Sequence, residues 1–297
     1  MTEDATTGVR NPPPIPGVRR SFVDARGVRF HVTEAGPADG RPVLALHGWP
    51  QHHWIYRDLL ADPPPGLRII APDLPGYGWS GPAPHKWAKD DVGSDVLALL
   101  DALGLDRVLL VGHDWGGYVG YRMVLREPER FVGYLALNMA HPWVTPGVVL
   151  PQLWRFWYQV VIGTAGVPIQ RHTKFLEVAF KRSSGLDAET ARVYADRFRD
   201  PVVARTARDT YRTFLLREIP QSARNPETRR ATVPIRALFG VHDAAISPSM
   251  VAAETANADD YTLETVDASH FVVDERPDLV RAKLIALADE TAARPQA

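Results

Sequence analysis

Residues 108–120, VLLVGHDWGGYVG, read as a strand, a glycine-flanked turn and a helix. Asp114 lies at the centre of the turn, within Gly112-His113-Asp114-Trp115-Gly116. This is the G-x-S-x-G spacing with Asp in the serine position. A residue held there sits on a sharp bend at a strand end, and the N-terminus of the next helix favours negative charge on it. A carboxylate attacks an ester poorly, because the mixed anhydride formed is high in energy. It is better suited to an electrophilic sp3 carbon, where displacement leaves an alkyl ester on the protein. The plainer role for such an Asp is to cap the helix.

Such an ester needs a base and an oxyanion site to be cleaved. His270, in Ser269-His270-Phe271, follows the last strand pattern and is the candidate base. Asp243, in Gly240-Val241-His242-Asp243, follows the preceding strand and is the candidate acid that orients it. Asp259, Asp260 and Asp267 are weaker candidates, since no strand end presents them. His47-Gly48-Trp49-Pro50 follows an early strand, so the amides of Trp49 and Trp115 are the candidate oxyanion hole. His47 reads as a structural hydrogen-bonding residue.

The elements that must carry these residues alternate. Strands are expected at Val28–Thr33, Val43–Leu46, Leu67–Ala71, Arg107–Val111, Tyr134–Leu137, Ile235–Phe239 and Tyr261–Val266. Helices are expected at Lys89–Leu103, Gly116–Arg126, Pro248–Ala256 and Pro277–Ala288. The alternation implies an α/β domain, a mostly parallel sheet covered on both faces. From His141 to Arg230 the strand rhythm gives way to helical patterns rich in Arg and aromatics. The expected organisation is an extended Pro-rich arm over 1–20, a first core part over 21–140, a helical insert over 141–230 and a second core part over 231–297. Residues 147–169 are apolar with only Arg155 charged. Pro151, Pro168 and the mid-span arginine argue for a buried or pocket-lining helix rather than a membrane span.

The chain has 297 residues, 45% hydrophobic and 23% charged, which excludes a disordered chain and a coiled coil. It has no cysteine, so thiolate nucleophiles, disulfides and thiolate-held metals are excluded. A cysteine-free chain with no signal-peptide pattern suits the cytoplasm. The net charge of −1 offers no global attraction to nucleic acid or anionic lipid. It is a sum of unlike parts. Residues 143–230 carry 15 Lys and Arg against 8 Asp and Glu, a balance of +7, and the remainder carries 19 against 27, a balance of −8. Docking of a basic insert onto an acidic core is the simplest reading of that split.

HGWP, GHDWGG, the late GVHD and SHF, in the chain order Asp114, Asp243, His270, resemble the α/β-hydrolase fold superfamily and most closely its epoxide hydrolases. The resemblance covers about residues 21–297. It implies a helical cap at the insert and two cap tyrosines that donate hydrogen bonds to an epoxide oxygen. Asp209-Thr210-Tyr211-Arg212 matches one of these, at Tyr211. For the other, the family position falls on Trp154, with Tyr158 offset, in Leu153-Trp154-Arg155-Phe156-Trp157-Tyr158-Gln159. Trp154, Trp157 and Tyr158 are thus candidate substrate-binding residues, packing of the insert being their alternative role.

The activity implied is hydration of an epoxide of a hydrophobic organic molecule to a vicinal diol, with water as co-substrate and neither metal nor cofactor. Haloalkane dehalogenases share the Asp nucleophile and hold the departing halide with indole N–H groups, which Trp115 and Trp154 or Trp157 could supply. Against that reading, Trp49 and Asn138 stand where many dehalogenases carry other residues. Trp115 also stands where fluoroacetate dehalogenases carry Arg. A non-catalytic binding protein on the same fold is the third reading. Homo-oligomerisation is left open.

Overall fold

The computed structural model describes residues 12–183, 185–252 and 257–293. Eight strands form one sheet: β1 (Arg19–Ala25), β2 (Val28–Ala35), β3 (Arg41–Leu46), β4 (Leu67–Pro72), β5 (Val108–His113), β6 (Phe131–Leu137), β7 (Ile235–Gly240) and β8 (Tyr261–Val266). Their order is β1-β2-β4-β3-β5-β6-β7-β8. β1 pairs antiparallel to β2, and β2 antiparallel to β4. All later pairs are parallel.

The central strands are short apolar runs because both their faces are covered. Leu44, Leu46 and Leu110 enter one hydrophobic cluster, and Val43, Ala45, Leu109 and Val111 enter the one on the opposite face. The period of two along each strand deals successive side chains to opposite sides. Helices Lys89–Ala102, Asp114–Arg126 and Pro277–Ala292 connect or close this sheet. Among the described residues, the helices and turns between β6 and β7 run from Pro146 to Arg224, with an isolated bridge from Ala231 to Ala258 after them.

Several expectations need correction. The chain enters the fold before Ser21: β1 begins at Arg19, and Ile15 is already buried in the core. Residues 1–11 of the expected arm lie outside the described residues. The Asp114–Arg126 helix starts two residues before the expected Gly116, so Asp114 is its first residue. The helix expected at Pro248–Ala256 is a single 3-10 turn, Pro248–Met250, and residues 253–256 lie outside the described residues.

The apolar 147–169 stretch is not wholly buried. Within the helix Trp157–His172, Ile162, Gly163, Gly166 and Gln170 face inward, while Trp157 and Val160 face solvent. Nor does a basic insert dock onto an acidic core. Ion pairs across that joint run the other way, from core Lys86, Lys89 and Arg122 to insert Asp209, Glu218 and Glu227. At the insert's last residue, Arg230 pairs with core Asp259.

Candidate active site

Asp114 has a backbone φ of 48°, the left-handed region that costs energy for a residue with a side chain. Glycines make the bend possible. A Cβ on Gly116 would lie 2.3 Å from the His47 carbonyl oxygen, and one on Gly112 would lie 2.8 Å from the Gly117 Cα. The turn thus packs directly against the end of β3. A Cβ on Gly48 would lie 2.4 Å from Asp114 Oδ2, so only glycine lets that loop approach the carboxylate.

The approach fixes the carboxylate. Trp49 N–H donates to Asp114 Oδ2 at 2.8 Å. The other oxygen, Oδ1, lies 3.7 Å from His270 Nε2. Burial pushes the Asp114 pKa up, while His270 and the amides of Trp115 and Trp49 pull against that shift. The two oxygens therefore have different surroundings: Oδ2 accepts the Trp49 amide, and Oδ1 faces the imidazole.

His270 is oriented through its other nitrogen, with Nδ1 2.7 Å from Asp243 Oδ2. Four donors surround Asp243. Oδ2 also accepts from Asn138 Nδ2 at 2.9 Å, and Oδ1 accepts from the amides of Ala245 at 2.8 Å and Ile246 at 2.9 Å. Although burial opposes its charge, His270 and these donors hold the Asp243 pKa below the ordinary carboxylate value. For His270, burial likewise opposes the charge, yet Asp243 and then Asp114 outweigh it and raise the pKa to about 9.

Neighbours that the sequence reading passed over build this arrangement. Asn138, at the end of β6 with φ of 42°, ties three segments together. Besides Asp243, its Nδ2 reaches the Ser269 carbonyl at 3.2 Å, and its Oδ1 accepts the Gly240 amide at 3.1 Å. Its signal in the sequence is its position directly after a strand end. His113 Nε2 donates to the His270 carbonyl at 2.8 Å; buried and held neutral, its pKa falls to about 3. Ser269 is anchored by Glu275, which accepts its amide at 2.8 Å.

The insert closes over Asp114 with tyrosines. Tyr211 is 1% exposed, with its ring centroid 5.3 Å from Trp49, 5.5 Å from Trp115 and 5.8 Å from Tyr158. Tyr158 stacks on Trp49 at 5.7 Å. Both phenol pKa values rise, chiefly through burial, and the Asp114 charge adds to both. Tyr158 thus sits beside Tyr211 and Trp49. Trp154 and Trp157 do not: they are 70% and 60% exposed, and the expectation that they bind substrate is corrected. The helical spacing that turns Tyr158 inward turns those two indoles outward. Trp115 Nε1, by contrast, is buried and points toward the Tyr211 hydroxyl without a well-formed hydrogen bond.

Other candidates have structural partners. His47 Nε2 accepts the Leu74 amide at 2.9 Å, which leaves the Nδ1 proton for the Gly48 carbonyl. Asp260 pairs with Arg236, and Asp267 with an exposed His242. Among the described residues, His31, His53 and Asp73 form the one group with metal-ligand types close together. There, both rings bond through Nδ1 to Asp73, at 2.8 Å and 2.9 Å, and the His53 and Trp79 amides complete its shell. Protons already satisfy these atoms, and the group lies outside the Asp114 site.

A carboxylate on a strand-to-helix turn, facing a histidine and its acid from two later strand ends, defines a hydrolase-type centre on a doubly covered parallel sheet. Residues 41–277 match the α/β hydrolase fold family, and the chain belongs to it. It is similar to epoxide hydrolase 4 of Mus musculus, at 26% identity over 287 residues, 90% of this chain and 78% of the relative. Over a shorter stretch of 118 residues, 39% of each chain, it is 38% identical to a haloalkane dehalogenase of Psychrobacter cryohalolentis. The solved structure of epoxide hydrolase CorEH superposes with a TM-score of 0.72 at 24% identity, covering 91% of this chain and 98% of that one.

Proposed function

We propose that the protein is an epoxide hydrolase that converts an epoxide of a hydrophobic organic molecule to a vicinal diol, with the helical insert acting as a cap. The observation that carries this reading is the pair of phenols, Tyr158 and Tyr211, packed together on the Trp49 ring next to Asp114. An alkoxide leaving group requires a proton donor, which a phenol supplies and an indole N–H does not.

In this reading Asp114 Oδ1 attacks an epoxide carbon. The C–O bond of the ring breaks, and the alkoxide takes a proton from Tyr211 or Tyr158. The product is a hydroxyalkyl ester whose carbonyl oxygen, Oδ2, already faces the Trp49 amide. His270, made neutral by passing its resting proton to the phenolate, then takes a proton from water, and the resulting hydroxide attacks the ester carbonyl carbon. The amides of Trp49 and Trp115 stabilise the oxyanion. Collapse releases the diol and leaves one water oxygen in the Asp114 carboxylate. The phenol has already been restored and His270 again carries its resting proton, so the sum is epoxide plus water to diol.

The alternative activity, haloalkane hydrolysis, is favoured by one observation: the buried indole N–H of Trp115, which makes no well-formed hydrogen bond and is a group able to hold a halide. One experiment separates the readings. His270→Gln is incubated with an aryl epoxide and, separately, with a bromoalkane, and intact mass is measured. An adduct from the epoxide, mapped to Asp114, together with diol formation by the unaltered protein, supports the proposal. An adduct from the bromoalkane alone selects dehalogenation. The absence of any adduct or turnover would falsify both and favour a binding protein.

A further inference from the structure

We infer that the outer face of the helical insert is a docking surface for an anionic lipid bilayer. The inference rests on a coincidence of apolar and cationic exposure. Leu153, Trp154, Trp157 and Val160 are 53%, 70%, 60% and 54% exposed and follow one another on a helical stripe. Leu216 and Ile219, at 69% and 43%, extend it from the neighbouring segment. The helices Trp157–His172 and Pro201–Thr213 run antiparallel, with Gly163 against Arg212 and Gln170 reaching the Ala204 carbonyl. That register carries Val160 and Trp157 toward Leu216 and Ile219, so the exposed side chains form one face. Next to it is a surface groove lined by Leu216, Arg217, Pro220, Gln221, Arg224 and Asn225.

Charge decides what such a face meets. Residues 141–176 contain no Asp or Glu, and Glu218 is the sole acid from 210 to 226. Glu218 is turned inward onto Lys89. Of the insert's other acids, Asp209 is engaged by Lys86 and Arg208, Glu227 by Arg122 and Arg229, Asp196 by Arg199, Asp200 by Arg197 and Glu177 by Arg192. Asp187 caps the helix Ala188–Arg197, and Glu189 is exposed on that helix, away in sequence from the Leu153–Val160 and Leu216–Ile219 stripe. Arg212, Arg217 and Arg224 are exposed and, among the described residues, have no carboxylate partner. Tryptophan and leucine flanked by arginine suit a membrane interface, where the rings enter the headgroup boundary and the cations meet anionic lipid. The same charge opposes a second copy on this face, since a symmetric contact would set arginine against arginine. Such a face lies on a membrane without spanning it, consistent with no described helix being long and apolar enough to cross one.

Flotation of the full chain with vesicles tests the inference. One set is phosphatidylcholine alone; the other contains about one-third phosphatidylglycerol. At low salt the chain should float with the anionic set at least tenfold more than with the neutral set, and high salt should release it. Trp154→Ser with Trp157→Ser, and separately Arg217→Glu with Arg224→Glu, should each reduce flotation at least tenfold while the far-ultraviolet circular dichroism stays unchanged. The inference is overturned by no flotation with anionic vesicles, by equal flotation with neutral ones, or by variants that still float. A dimer in solution that the tryptophan variant abolishes, without vesicle binding, would assign the face to a second copy instead.

Discussion

Glu218 of the insert grips Lys89 of the core twice. Its Oε1 accepts the Lys89 backbone amide at 2.8 Å, and its Oε2 meets the ammonium at 2.7 Å. The ammonium also donates to the Thr210 carbonyl at 2.9 Å, one residue before Tyr211, and lies 4.4 Å above the Trp115 ring. A π-helical turn over Phe214–Glu218 swings the carboxylate into reach of this helix start. One ion pair thus links the tyrosine above Asp114 to the indole beside it.

Lys89→Met should therefore reduce both stability and turnover. It leaves Glu218 facing a pocket without a cation, a loss on the order of 3 kcal/mol for a pair this enclosed. Urea unfolding measures the first effect. At temperatures where the variant is folded, kcat should fall more than KM rises, because the tyrosine is displaced rather than removed. An unchanged kcat would separate this pair from catalysis.

Gly48→Ala should be severe for a single methyl group. The added Cβ would meet the Asp114 carboxylate and the Trp115 amide, so the loop or the nucleophile must shift. A displacement of about 1 Å at reacting atoms costs about 100-fold in rate. Turnover measured with melting temperature distinguishes this from a general loss of folding.

Asn138→Ala removes three bonds at once: those to Asp243, to the Ser269 carbonyl and from the Gly240 amide. Leaving buried groups unsatisfied costs about 1–3 kcal/mol each, less whatever water recovers. Asp243 loses one of its four donors, so its grip on His270 loosens. Thermal unfolding should shift down, and His270, followed by NMR titration, should move from about 9 toward the ordinary histidine value.

Stability should decline on both sides of neutrality, for different histidines. The His270 pKa is raised to about 9 in the folded chain, so its stabilisation is complete below its unfolded value near 6.5 and is lost as pH rises through about 9. His47 and His113 behave oppositely: burial lowers them to about 4 and about 3, so the unfolded chain binds their protons more readily. Their effect appears as pH falls below about 6.5 and grows toward those lowered values. Melting temperatures from pH 4 to 10 should show both limbs, and Asp243→Asn should flatten the alkaline one.

Much of this was legible in the sequence because strand ends carry local signals. The glycine-flanked Asp114, the HGWP loop and the apolar runs of β3, β5 and β7 announce themselves within a few residues. β1 was not legible: its RRSFVDA is largely exposed at a sheet edge, so no apolar run marks it. Asn138 is not legible as a structural tie because its three partners come from the end of β7, the loop after it and the loop after β8, about a hundred residues away or more. The tyrosine pair depends on helix rotation, which motif spacing does not record. Charge totals misled in a similar way, since composition gives the insert's balance but not the direction in which each arginine points.

The charge on Asp114 has a further consequence for the proposed cycle. It is one of the influences that keep a proton on His270. Esterification abolishes it. The imidazole therefore releases its proton more readily once there is an ester to cleave, and holds it more tightly once the carboxylate returns. In the proposed cycle the nucleophile then acts as a timer of its own base, its charge favouring the order of the two half-reactions.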